Sequence, residues 1–118
     1  MSSPVAAPVN KQEPKMFGFL GDDVINRFVR KVVMAAELNE ATQVTYNLQL
    51  FRDTRLAIDA FILEHIKDSD LDKLYELKVN NDQEKLDKFF ETKIPQFEKK
   101  LTGLLDQLYQ QERITLQF

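Results

Sequence analysis

The sequence predicts an all-α protein: a mostly antiparallel bundle of four or five helices behind a disordered N-terminal arm. Three observations carry this. Apolar residues recur at helical spacing from Ile25 onward. Residues that cap or break helices punctuate the pattern near Asn39, Ser69, Asn81 and Pro95. The stretch Arg55–Ile66, RLAIDAFILEHI, is apolar nearly all round, with Ile58, Phe61, Ile62 and Ile66 on one side and Leu56, Ala57, Ala60 and Leu63 over most of the rest. A helix of that kind is a buried central one, and the others are expected to pack against it.

The length of 118 residues fits one domain, and the apolar content of 43% is ordinary for a globular chain. There is no cysteine, so disulfides and thiolate chemistry are excluded, which fits a reducing compartment. Net charge is −3, with acids and bases intermixed. No segment carries the basic excess that phosphate binding requires, so nucleic acid is not an expected partner outside a local patch. No run approaches the roughly 18 apolar residues that span a bilayer. The opening MSSPVAAPVNKQEPK lacks a charged region followed by an apolar core, and Ser2 stands where myristoylation needs glycine. The expectation is a soluble cytoplasmic protein.

Residues 1–21 form the first segment. Pro4, Pro8 and Pro14 lie among small residues, which predicts a flexible arm over 1–15. Met16-Phe17-Gly18-Phe19-Leu20-Gly21 follows as an apolar plug. It reads either as a hydrophobic staple folding back on the first helix or as a motif that inserts into a partner's groove.

The bundle is expected over residues 22–112. Asp22 and Asp23 suit the positive end of a helix dipole, and Ile25, Phe28, Val29, Val32 and Ala36 make one apolar face. Arg27, Arg30 and Lys31 sit together off that face, as a solvated surface or an anionic contact. Asn39 caps the next element. Residues 43–51 are ambiguous: Val44, Tyr46, Leu48 and Leu50 alternate as in a strand, while Ala41, Val44, Leu48 and Phe51 have helical spacing. One long helix over about 40–67 is the preferred reading. Ser69 with Asp72 resembles a capping box before a helix bearing Leu71, Leu74, Tyr75 and Leu77. Asn81 with Glu84 repeats it before a short helix with Leu86, Phe89 and Phe90 inward. Pro95 pushes Ile94 out of helical conformation and opens the last helix, where Phe97, Leu101, Leu104 and Leu108 align. Gly103 weakens that helix or admits a close neighbour. Residues 113–118 alternate and are expected as an extended tail ending in Phe118.

The catalytic inventory is thin. His65, the single histidine, lies in the last turn of the central helix, where a structural or capping role is expected. Ser2 and Ser3 lie in the arm and Ser69 is spent as a cap, so no Ser-His-Asp triad is expected. Asp68-Ser-Asp70-Leu-Asp72 opens like a calcium loop, but Lys73 and Val79 stand where the loop needs glycine and glutamate. His65 with Asp68 supplies two ligands, which is no metal site. Gly18, Gly21 and Gly103 form no phosphate loop. No cofactor, metal or catalytic residue is assigned.

The run from the central helix through DSDLDKLYEL, NDQEKLDKFF and KIPQFEKKL resembles a family of small uncharacterised helical proteins common in ultra-small bacteria. The likeness covers residues 55–110 and is carried by Phe89, Lys93, Ile94, Pro95 and Phe97. The arm, the FGFLG plug and residues 38–54 depart from the pattern. The family has no established activity, so the resemblance implies only a compact all-helical domain.

Together these readings favour a non-enzymatic interaction or assembly protein that docks to itself or to another protein. Its expected contacts are Phe17, Phe19, Leu20 and Phe118. The alternatives are a nucleic-acid-associated protein using Arg27, Arg30 and Lys31, and a small enzyme with an unidentified carboxylate site.

Overall fold

The computed structural model describes residues 17–118, and the predicted arm over 1–15 lies outside them together with Met16. Among the described residues five α-helices follow one another: α1 (Asp22–Ala36), α2 (Glu40–His65), α3 (Leu71–Val79), α4 (Gln83–Lys93) and α5 (Phe97–Leu116). A single 3₁₀ turn, Asp68–Asp70, precedes α3. The all-α bundle is thus the fold, with no strand among the described residues. Helices α1, α2 and α5 pack on one another, α3 pairs with α4, and α4 joins the two groups by packing on α5. The connections run three to five residues, and consecutive helices pack on one another at α1–α2, α3–α4 and α4–α5.

The segment 43–51 is helical. Asn39 accepts a hydrogen bond from the Thr42 N–H at 2.9 Å, and α2 then runs unbroken for 26 residues. Its buried stripe is Leu50, Thr54, Ile58 and Ile62, at i, i+4, i+8 and i+12. The stripe Val44–Leu48 lies outside the core instead. The central helix is also less enclosed than its composition predicts. Ile58, Ile62 and Ile66 are buried, but Leu56, Ala57, Phe61 and Leu63 are half-buried and Ala60 is exposed. The molecule is a slab of 44 × 43 × 23 Å, about two helix diameters thick, so no helix is covered on every side.

Three local expectations need correction. The cap of α4 is Asp82, whose Oδ1 accepts from Lys85 N–H at 3.2 Å. Asn81 instead takes the left-handed turn before it, at φ 55°. Before α3, Ser69 lies inside the 3₁₀ turn, and that turn rather than a side-chain cap leads into the helix. The extended tail is also absent, because α5 continues to Leu116. Gln117 turns left-handed at φ 59°, the Phe118 N–H donates to Arg113 O, and Arg113 Nε donates to Phe118 O at 3.1 Å. This αL closure seats the Phe118 ring edge-on against Tyr109, 5.7 Å between centroids. At the other end of α5, Ile94 is extended as Pro95 demands, and Gln96 at φ 55° swings the chain into Phe97.

An aromatic chain ties the two groups of helices. It runs from Tyr75 on α3 through Phe17 and Phe19 to Phe90 on α4, then to Phe97 on α5 and Phe61 on α2. Successive centroids are 5.0–6.2 Å apart, the range in which aromatic pairs attract beyond their buried area.

Candidate functional site

The plug is an internal element of the bundle. Phe19 is fully buried and Leu20 nearly so, while Phe17 is half-buried between Phe19 and Tyr75. A non-helical segment can enter a core only if its backbone groups find partners. Here one side chain serves three of them. The buried carboxylate of Asp59 accepts the N–H of Phe17 at 2.7 Å, Gly18 at 2.9 Å and Phe19 at 3.1 Å. The carbonyls are met from the α3–α4 side: Lys78 Nζ donates to Gly18 O at 3.1 Å, and Gln83 Nε2 to Phe19 O at 2.9 Å. Gly18 makes the wrap possible, because φ 69° turns successive N–H groups to one point. Arg55 closes the outside, paired with Asp22 and lying over the Phe51 ring at 4.9 Å.

This placement corrects the expected partner contacts at Phe19 and Leu20. Phe19 and Leu20 have no accessible ring or methyl face to offer a partner while the bundle is folded, and Phe17 and Phe118 each pack on a neighbouring aromatic. Of the two readings of the plug, the structure has the chain's own core as its destination.

The other singled-out residues lie apart. Arg27, Arg30 and Lys31 are exposed along α1. Arg27 Nε reaches the Asp23 carbonyl at 3.4 Å, and Lys31 stands 4.6 Å from the centre of the Tyr109 ring, so two of the three are engaged within the chain. His65 is exposed, its Nδ1–H donating to Phe61 O at 2.8 Å and its ring tilted on Phe61. Among the described residues, no group of three or more His, Asp or Glu side chains is placed to hold a metal ion. Tyr46 on α2 donates its hydroxyl to Glu112 on α5, and burial first, with that carboxylate second, pushes the phenol up from its ordinary value.

A surface that the periodicity did not single out lies between α1 and α2. An open groove of about 600 Å³ runs along the pair, floored by Val29, Val33 and Phe51 and flanked by Met34 and Leu48. Met34 and Leu48 are each 71% exposed, and Val44, one turn from Leu48, is 65% exposed. Asn47 Oδ1 is buried in this groove and accepts no hydrogen bond among the described residues. The signal was present in the sequence as a surplus: α2 carries two apolar stripes, 44–48–51 and 50–58–62, where a slab needs only one.

No protein family, curated protein or solved structure matches the chain.

Proposed function

We propose that the protein is a non-enzymatic interaction or assembly module whose working surface is the α1–α2 groove. The observation that carries this is the grouping of Met34, Val44 and Leu48, three large apolar side chains each 65% exposed or more, beside one concave surface. Scattered exposed apolar residues are ordinary, but a cluster rimmed by polar groups marks a contact surface. The plug, Asp59 and the aromatic chain then have a separate role: they make a rigid body on which that surface is held. The chemistry-bearing groups support the same reading. Both oxygens of the buried Asp59 are taken up by backbone N–H groups, and His65 is tied to its own helix.

A photo-crosslinking residue placed at Leu48 tests the reading, with the same residue at Val79 as control. Val79 is apolar and 82% exposed but lies on α3, away from the groove. Protein adducts formed in cells at position 48 and not at 79 are expected. Equal labelling at both positions, or none at 48, contradicts an interaction surface there.

A further inference from the structure

We infer that the occupant of the groove is the same groove of a second copy, related by a two-fold axis that sets the two α1 helices antiparallel. This rests on the interaction reading above and adds the partner. Charge and apolar shape along the groove point to that partner.

Arg30 and Glu37 both border the groove, seven residues apart on α1 and its cap. That separation is about 10 Å along the helix axis at 1.5 Å per residue. Midway between them is Met34, the exposed apolar residue of α1. A two-fold axis through the Met34 level exchanges the two ends of the groove, so each Arg30 meets the other copy's Glu37. One patch is thereby its own complement, the requirement for an isologous contact. Neither residue has an ion-pair partner among the described residues.

Glu37 is also unfavourably placed in the single chain. It is the C-cap of α1, at the negative end of the helix dipole, and the last turn of α1 holds no basic residue. A cation arriving from outside relieves that repulsion, and the facing Arg30 is such a cation. The surface between the charges matches in kind. Val44 and Leu48 form a ridge on α2, and the groove beside them is floored by valines. Packing ridge into groove twice buries both.

The geometry makes a specific demand on two single variants. Arg30→Glu places Glu against Glu37 in both contacts of a homodimer, and Glu37→Lys places Lys against Arg30. Each variant alone should dimerise at least about tenfold more weakly than the parent. Mixed together, the Arg30→Glu chain presents two acids to two bases on the Glu37→Lys chain, and both contacts become attractive. Sedimentation velocity should therefore show a dimer in the mixture at concentrations where each variant alone is monomeric. Both positions are exposed, so far-ultraviolet circular dichroism should show unchanged helicity. A parent chain that stays monomeric to millimolar concentration overturns the proposal, as does a mixture that stays monomeric when the parent dimerises. If the Leu48 crosslinker forms adducts only with a different protein, the two-fold partner is wrong and the interaction surface stands. If it forms none, the reading beneath it fails as well.

Discussion

Gly18 donates its N–H to Asp59 Oδ2 over 2.9 Å while its own backbone sits at φ 69°. The two residues are 41 positions apart, and each explains the other. A buried carboxylate in the middle of a helix is costly unless charge-assisted hydrogen bonds surround it. Three consecutive N–H groups can converge on one carboxylate only if the chain between them turns left-handed, which glycine does without penalty.

Substituting either member should loosen the plug. A Cβ at Gly18 meets Arg55 Nε at 3.5 Å in a conformation that L-residues avoid, so Gly18→Ala is expected to cost about 1–2 kcal/mol. Asp59→Asn replaces one accepting oxygen by a donor facing N–H groups, and should cost roughly 2–4 kcal/mol. Urea unfolding measures both. Because they hold the same turn, the double variant should lose less than the two effects added together. Strict additivity would mean that they act independently.

Phe19→Ala should be among the most damaging single changes in the chain. The ring is fully buried between Phe17 and Phe90, and such truncations cost about 3–5 kcal/mol. If Phe17 and Phe19 were contacts to a second copy or another protein, their double alanine variant would stay folded and lose only that association. The structure expects it to lose the fold, seen as a collapse of the cooperative thermal transition. A variant with an unchanged transition would return the plug to the partner.

Gly103 offers a change in the opposite direction. It lies inside α5, and a Cβ there meets nothing within 4 Å. Among the described residues, none is the close neighbour allowed for at this position. Gly103→Ala should therefore stabilise by about 0.5–1 kcal/mol, which for a domain of this size raises the thermal midpoint by roughly 2–8 °C. A lowered midpoint would reveal a contact at that face.

Tyr46 should mark the alkaline limit of the fold. Burial and Glu112 hold its phenol protonated above the ordinary range, which in the unfolded chain is about pH 10. The raised value means that this contribution to stability is complete below pH 10 and is lost as the pH climbs through the folded value. Ultraviolet titration should show one tyrosine component lagging until the helical signal is lost. Tyr46→Phe should abolish the lagging component. A titration with no lagging component would mean that the burial of Tyr46 and its Glu112 contact are absent.

The helices were legible because their signals are local. Asn39 announces α2, Pro95 announces the break before α5, and Ile25, Phe28, Val29 and Val32 announce the buried face of α1. The fate of the plug was not legible. It depends on Asp59, which in the sequence is one acid among several on an apolar helix and whose partners lie about 40 residues away. The tail misled through its alternation, which the αL closure at Gln117 and the Tyr109–Phe118 contact override. Val44 and Leu48 had the right spacing for a core face, but Leu50, Thr54 and Ile58 occupy that role. Spacing identifies a stripe and leaves open what covers it.

On the proposed reading, association runs through the α1–α2 face and does not require residues 1–15. Light scattering on three proteins tests it most directly: the full chain, a version lacking residues 1–15, and Leu48→Asp. Removing residues 1–21 would delete Phe19 and Leu20 and so unfold what is being measured. The expected result is twice the 13.8 kDa chain mass for the first and a two-chain particle for the second, with Leu48→Asp reduced to a folded monomer. A full chain that dimerises only while residues 1–15 are present, or a Leu48→Asp chain that stays dimeric, would contradict it.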